Sequence, residues 1–415
     1  MQPVARPQDP GQHAAGRVHP PGRQVTAVTA AVAGRPTLAL CHEWLVSRYG
    51  SEKTFEAMAS ALPEAELHAL SWDRSSDLSF DGRAVRTTFL DRPGPLRHRR
   101  DLQLPLMPLA WRLAGGRRRY DVVVTSSHAC AKGFRPARPA LHLCYCYTPL
   151  RYVWLPTLDQ RRRQNPLTRA AASGLRRWDL ASVAWVDEFA AISHAVRQRI
   201  ERIYQRPARV IFPPVDTDFF TPDPGVPRGD FALMASRMIP YKRIDMVIRA
   251  CRTVGIPLVV AGSGPDEDRL RALAAGAGSP VRFVIAPSDD TLRQLYRTAT
   301  MLVFPAEEDF GIVAVEAQAC GTPVVALAAG GSLDTVRHGT TGVLVADQDE
   351  ASLAMGIGQV LAGHFEPHAC RDHAESFSTA TFRAAFTSWV QDAASSHGLD
   401  LSEGPAAVVS ASSVY

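Results

Sequence analysis

The stretch Met301-Leu-Val-Phe-Pro-Ala-Glu-Glu-Asp-Phe-Gly-Ile-Val-Ala-Val-Glu-Ala-Gln-Ala-Cys-Gly-Thr-Pro-Val-Val-Ala-Leu327 reads as strand, loop, helix and strand. Met301 to Phe304 and Val324 to Leu327 are apolar runs of strand length, and the segment between them opens a helix near Gly311. Two such strands joined by one helix form a parallel crossover unit. Working outward, Leu233 to Ser236, Leu258 to Ala261, Val281 to Ile285 and Val343 to Val345 repeat the pattern with amphipathic stretches between them. Six strand-helix units make a complete doubly wound α/β domain, expected over residues 229–378.

The first half follows the same rhythm less cleanly. Leu38 to Cys41, Leu67 to Leu70, Val122 to Thr125, Leu141 to Tyr145, Phe189 to Ile192 and Val210 to Phe212 are its candidate strands, within a domain expected over 35–212. Between the halves, Phe212-Pro-Pro-Val-Asp-Thr-Asp-Phe-Phe-Thr-Pro-Asp-Pro is proline-rich, which places a linker at 213–228. A last amphipathic helix over 379–395 carries Phe382, Phe386 and Trp389 on one face and is expected to cross back to the first domain. Residues 1–34, rich in Pro, Gly, Gln and Arg, and the small-residue tail 396–415 are expected to be disordered.

Composition narrows the function. The 415 residues are 46% hydrophobic and 21% charged, as in globular proteins, and the net charge is only +5. No nucleic-acid-binding module is spelled out, so nucleic acid is not an expected partner. Seven cysteines are scattered, and Cys144-x-Cys146 lacks the second pair of a zinc site, so free thiols in a cytoplasmic setting are expected. No run approaches the ~20 apolar residues that span a bilayer.

Several residues carry chemistry. Glu308 lies just before the helix that opens at Gly311, and Glu316 follows eight positions later on its second turn, so both carboxylates can face one cleft. The amides around Gly311, Ile312 and Val313, with Phe310 beside them, form a helix N-terminus that favours an anion such as a diphosphate. Taken alone, such a Glu pair is a helix cap and a solvated helix residue. Arg237 and Lys242, five apart at a strand end and a helix start, can point into the same cleft and suit a diphosphate. Lys242 is one of three lysines, with Lys53 and Lys132, among 46 basic residues. In Leu38-Ala-Leu-Cys-His-Glu-Trp-Leu-Val-Ser-Arg-Tyr-Gly-Ser-Glu-Lys53, Gly50 sits where a loop after the first strand approaches a ligand. His128 follows the strand Val122 to Thr125 and faces the cleft.

The stretch from Pro305 to Ala326 resembles the E-x7-E motif of family 4 retaining glycosyltransferases with the GT-B fold. Similar to that family too are Ala235-Ser-Arg-Met-Ile-Pro-Tyr-Lys-Arg243, Val260-Ala-Gly-Ser-Gly-Pro265, Leu292-Arg-Gln-Leu-Tyr-Arg-Thr-Ala299 and Ala191-Ile-Ser-His-Ala-Val196. The resemblance covers about residues 36 to 392. It implies two Rossmann-like doubly wound domains facing a central cleft, and a nucleotide-sugar donor. It implies that Glu308 contacts the donor sugar, that Glu316 holds the nucleotide ribose, and that Arg237 and Lys242 bind the donor phosphates. It places His128 near the reacting sugar. The runs Thr125 to Gly133 and Cys144 to Trp154 resemble a bacterial subgroup that builds surface polysaccharides, often from GDP-mannose. Three positions depart from the pattern: Tyr49 stands where the family has a first Gly, and Tyr147 and Leu155 stand where the subgroup has His and Asp.

The expected function is therefore a retaining, metal-independent transfer of a hexose from a GDP- or UDP-sugar to a lipid-linked or glycan hydroxyl, with no cofactor. Rival readings are a GT-B epimerase and a donor-binding subunit without transfer. Asp216-Thr-Asp218 matches the metal-binding aspartates of GT-A glycosyltransferases but lies in the linker, as turn chemistry. Gly262-Ser-Gly264 lacks the third glycine of a dinucleotide fingerprint. Residues 92–119 place eight arginines around an apolar middle that includes Trp111, the order expected of a segment resting on anionic lipid.

Overall fold

The structure, a computed structural model, describes residues 36–94, 97, 100–154, 166–276 and 280–401. The expectation of disorder for 1–34, that for the tail from 402 onward, and the position of Leu155 lie outside the described residues; the start of the expected tail is ordered instead, with Ser396 ending a helix and Leu399 N donating to Ala394 O at 2.9 Å.

Two wholly parallel sheets follow one another along the chain. The first holds β1 (Leu38–Leu45), β2 (Glu66–Trp72), β3 (Val85–Thr87), β4 (Val122–Ser127), β5 (Leu141–Cys146), β6 (Glu188–Ala191) and β7 (Ala208–Val210), in the order β3-β2-β1-β4-β5-β6-β7. The second holds β8 (Ala232–Ala235), β9 (Leu258–Gly262), β10 (Val281–Ile285), β11 (Met301–Phe304), β12 (Val324–Leu327) and β13 (Gly342–Val345), in the order β10-β9-β8-β11-β12-β13. Both orders are of the doubly wound Rossmann type. Helices cover both faces of each sheet, which is why the strands read as nearly unbroken apolar runs.

Each sheet reverses its winding direction between its first and fourth strands, β1/β4 and β8/β11. A crevice opens at the carboxyl ends of the strands there, the usual ligand position in such sheets. Trp44 lies near the end of β1, His128 follows β4, Arg237 follows β8 and Glu308 follows β11. Topology alone thus gathers residues from four distant parts of the chain.

Three elements differ from the sequence expectation. β1 runs on past Cys41 to Leu45 with His42 and Glu43 fully buried. Polar residues tolerate this position because they are satisfied: His42 Nδ1 lies 3.0 Å from Ser126 Oγ, and Glu43 accepts hydrogen bonds from the loop after β4. β3 is a three-residue edge strand, too short to show a period. The last strand of the first sheet is Ala208–Val210 rather than Val210 to Phe212; Phe212 instead packs on Phe310 and Phe377, with ring centroids 6.0 and 5.1 Å away.

The chain passes between the sheets twice, and the two crossings touch. Val215 N donates to Phe377 O at 2.9 Å. The helix Thr379–Ser396 then returns to the first sheet, where Phe382 packs on Tyr145 (5.9 Å) and Trp389 Nε1 donates to Glu188 Oε2 (2.9 Å). Within the intervening segment, Asp216 Oδ1 accepts from Phe219 N at 3.0 Å, a local turn.

Trp111 corrects the reading of residues 92–119. It is fully buried, 6.1 Å from Phe134, because the helix Met107–Gly115 turns that face onto the first sheet. Among the described residues of the segment, Leu102, Leu109 and Leu113 are exposed large apolar side chains, at 47%, 49% and 60%. Among the described residues no helix is long and apolar enough to cross a membrane.

Candidate active site

A cleft of about 500 Å³ lies between the two sheets. Its wall from the second lobe starts at Phe304, the last residue of β11. The chain then turns through Pro305 to Phe310, and Gly311 takes a left-handed conformation (φ 88°) as N-cap of the helix Ile312–Ala319. Glycine is needed there on two counts: that φ disfavours a side chain, and a Cβ would lie 3.0 Å from Phe304 Cε1. No side chain caps this helix. The cap reading of Glu308 is thereby excluded, and the first-turn amides face the cleft that Gly311, Ile312 and Val313 line.

Glu308 turns instead to Lys242. Its carboxylate accepts from the Lys242 ammonium, which also lies over the rings of Tyr241 (5.3 Å) and Phe304 (5.7 Å). Lys242 ends a 3-10 turn, Pro240–Lys242, and Arg243 (φ 54°) then starts the helix Ile244–Val254. Arg237 is exposed and lines the same cleft. The loop carrying Glu308 is clamped from behind. Gly331 N donates to Glu308 O at 2.7 Å, and a Cβ on Gly330 would come within 2.3 Å of that same oxygen.

The opposite wall comes from the first lobe. His128 Nδ1 is 3.3 Å from Glu43 Oε2, and its ring lies 5.4 Å from that of Trp44 and 6.0 Å from that of Tyr147. Glu43 also accepts from Ser127 Oγ (3.1 Å), Ala129 N (2.9 Å) and Ala131 N (2.9 Å), so one buried carboxylate shapes the loop that presents the imidazole. Tyr147 donates to Ser51 O at 3.1 Å, tying this wall to the loop of Gly50. Gly50 itself faces Ile312: a Cβ there would be 3.8 Å from Ile312 Cδ1, ordinary contact distance across the cleft.

Glu316 departs from expectation. It is buried, accepts from Tyr296 Oη at 3.0 Å, and is not among the residues lining the cleft. The helix places its first turn at the cleft and its second turn behind it. Burial raises the Glu316 carboxyl pKa to about 7, opposed by Lys53 and by the Tyr296 hydrogen bond, and reinforced by Asp289 and Asp216.

The structure thus brings together His128, Arg237, Lys242, Glu308, Phe310, Gly311, Ile312, Val313 and Gly50 around one cleft, with Glu316 set behind it. Sequence reasoning missed Glu43, Trp44, Glu52, Arg151 and Asp309. Glu52, buried in the first turn of the helix Gly50–Ala61, lines the cleft, as do Trp44, Arg151 and Asp309. Asp309 had a signal in hand, since it adjoins Glu308.

Residues 221–377 match the family model described as "Glycosyl transferases group 1". They form a glycosyltransferase group 1 domain. This domain supplies Arg237, Lys242, Glu308 and Glu316. The chain is 38% identical over 194 residues to D-inositol 3-phosphate glycosyltransferase of Mycobacteroides abscessus, covering 41% of this chain and 44% of that protein. It is 36% identical over 206 residues to the protein of that name from Mycobacterium avium, covering 45% and 49%. The chain thus matches less than half the length of these relatives. Among solved structures, sucrose-phosphate synthase from Thermosynechococcus elongatus superposes with a TM-score of 0.65 at 20% identity, over 86% of this chain and 100% of that one. The lipopolysaccharide outer core galactosyltransferase WaaB superposes with 0.62 at 15% identity, over 85% and 99%. Anabaena HepE, solved with UDP and glucose, superposes with 0.62 at 18% identity, over 86% and 99%. These neighbours extend over both lobes beyond the group 1 domain, and the architecture is GT-B.

Proposed function

We propose that the protein is a retaining, metal-independent hexosyltransferase that moves a sugar from a nucleotide diphosphate donor to a hydroxyl acceptor. One observation carries this reading: the Lys242–Glu308 pair stands beside an uncapped helix N-terminus at the β8/β11 switch point. The donor diphosphate lies on the amides of Gly311 to Val313, between Arg237 and Lys242. Glu308 holds hydroxyls of the transferred hexose; the ribose role of Glu316 rests on the family resemblance, since its carboxylate is buried behind the cleft.

Transfer runs on one face of the sugar. The bond from C1 to the diphosphate oxygen breaks as Arg237, Lys242 and the amides stabilise the charge that develops on the leaving group. The acceptor oxygen approaches C1 from the same side, and its proton passes to the departing phosphate oxygen. No protein nucleophile is needed, and the configuration at C1 is kept. His128, steadied by Glu43, lies on the far side of the oxocarbenium-like sugar, and closure of the cleft aligns the reactants. One guanidinium, one ammonium and a helix terminus supply what a metal ion supplies in other transferases.

The donor is a GDP- or UDP-hexose, GDP-mannose being the sugar suggested by the subgroup resemblance and UDP by the Anabaena neighbour solved with it. The acceptor is a lipid-linked or glycan hydroxyl in surface-polysaccharide or glycolipid synthesis. A peripheral position on the cytoplasmic face of an anionic membrane is supported by exposed Leu102, Leu109 and Leu113 beside exposed Arg112, Arg117 and Arg119. This surface adjoins the cleft, since Gln103 Oε1 accepts from Trp44 Nε1 at 2.9 Å. Incubation of labelled GDP- and UDP-hexoses with lipid extract tests the reading. A labelled lipid or glycan product with retained anomeric configuration supports it. Interconverted donor without product indicates an epimerase, and donor binding without either change indicates a non-catalytic subunit.

A further inference from the structure

Asp309, next to Glu308, points across the cleft and not into its own lobe. Its Oδ2 accepts from Arg151 Nη2 at 2.6 Å and its Oδ1 from Arg199 Nη1 at 2.5 Å. Both arginines belong to the first lobe: Arg151 opens the short helix Arg151–Trp154 after β5, and Arg199 lies in the helix His194–Tyr204 after β6. Arg199 also donates to Thr148 Oγ1 at 2.8 Å, which fixes the guanidinium from a third segment. The Asp309 side chain is 10% exposed and that of Arg199 11%.

Among the described residues two other contacts join the lobes with the same polarity, a basic side chain of the first lobe on a carboxylate of the second. Lys53 reaches Asp289 at 3.2 Å and His194 reaches Asp334 at 2.6 Å. Each has a partner at least half exposed, so water and salt weaken it. Asp309 is the enclosed contact. An enclosed carboxylate depends on its partners, because stripping them leaves an uncompensated charge. Separation of the lobes removes both arginines together, and the residue that then loses its setting is the immediate neighbour of Glu308.

We propose that Asp309, gripped by Arg151 and Arg199, is a positioning residue that holds the Glu308 loop against the first lobe, so that the reacting side of the cleft is assembled only when the lobes are closed. This rests on the transferase reading above. It separates two jobs within one loop. The amides of Gly311 to Val313 and the cations Arg237 and Lys242 sit on the second lobe and bind a nucleotide whether or not the lobes meet. Glu308 reaches its working position relative to His128 only through Asp309.

Asp309→Asn keeps the shape and removes the charge. In the full chain, three quantities are compared with wild type: affinity for GDP and UDP, kcat and KM for the donor that turns over, and radius of gyration by small-angle scattering with nucleotide at saturation. The expected pattern is a fall of about tenfold or more in kcat, nucleotide affinity within about threefold of wild type, and a larger radius of gyration. Arg199→Gln gives the same pattern, and the double variant is no worse than Asp309→Asn alone. Should Asp309→Asn not fold, Arg151→Gln, at the more exposed partner, carries the same test with the same expected split. A kcat within threefold of wild type overturns the proposal, as does a loss matched by equal loss of nucleotide affinity, or an additive double variant. If wild type turns over no nucleotide sugar, the transferase reading fails on its own, and an unchanged radius of gyration in Asp309→Asn then overturns the latch separately.

Discussion

The ammonium of Lys242 and the carboxylate of Glu308 pair across the switch point between β8 and β11, 66 residues apart in sequence. On the proposed reading each satisfies the other without a donor, and donor binding exchanges that contact for phosphate on one side and sugar hydroxyls on the other. Glu308→Gln is therefore expected to lower kcat by about 10² or more while leaving nucleoside diphosphate affinity unchanged or tighter, since Lys242 is released to the phosphate. Lys242→Ala is expected to lower both. Steady-state kinetics with calorimetric titration of the diphosphate checks the difference, and equal affinity losses in both variants would argue against the assignment.

The raised pKa of Glu316 makes its proposed ribose contact pH-dependent. Its carboxyl pKa is raised by burial to about 7, above the ordinary value near 4.5, so the folded state holds that proton more tightly than the unfolded chain does. The stability contributed by the neutral group is fully present below pH ~4.5 and is lost as pH rises through ~7, roughly 3 kcal/mol at most. A ribose diol is held better by the ionised carboxylate, so affinity for a nucleotide sugar should rise between pH 6 and 8. Glu316→Gln should flatten both trends. Nucleotide sugars suit this titration because their diphosphate does not titrate in that range. A wild-type affinity independent of pH would count against a ribose role.

Gly331 closes the back of the Glu308 loop, where a Cβ would lie 2.2 Å from Phe310 Cα. Backbone cannot yield as a flexible side chain does. Gly331→Ala should cost about 1–3 kcal/mol and displace the loop, lowering the melting temperature and turnover together. Thermal denaturation beside an activity assay reads both, and an unaltered melting temperature would show that the loop is not clamped there.

The exposed leucines make a surface test possible without touching the cleft. Leu109→Asp/Leu113→Asp should reduce sedimentation with anionic liposomes by an order of magnitude or more, while leaving turnover of a soluble acceptor analogue intact. Binding by wild type should fall with salt, as arginine attraction is screened. Equal sedimentation of wild type and variant would remove the membrane role from this segment.

The fold was legible where strands are buried on both faces, as in β8, β9, β11 and β12, because an apolar run bounded by loops needs no further information. It was less legible in β1, where His42 and Glu43 interrupt the apolar pattern yet stay inside. Their partners lie 84 to 88 residues downstream, a distance no local window samples. The same holds for Asp309, whose arginines lie 158 and 110 residues upstream. Glu308 and Lys242 could be named because each stands at a strand-to-helix junction with its own local signature. The three lysines turned out to share a pattern that rarity only hinted at: Lys53 pairs with Asp289, Lys132 with buried Asp179, and Lys242 with Glu308. Trp111 misled because an aromatic residue between arginines has the same sequence signature whether it packs inward or outward.

The reaction assigned here needs a nucleotide diphosphate on Arg237, Lys242 and the amides of Gly311 to Val313, and thermal unfolding against GDP, UDP, ADP and their hexose derivatives, with and without EDTA, measures that. One base should stabilise the wild-type protein by ~3 kcal/mol at a hundredfold excess over its Kd, with no dependence on metal, and the shift should disappear in the Arg237→Ala/Lys242→Ala variant. No shift with any nucleotide, or an equal shift in the double variant, would contradict the donor site and the function drawn from it.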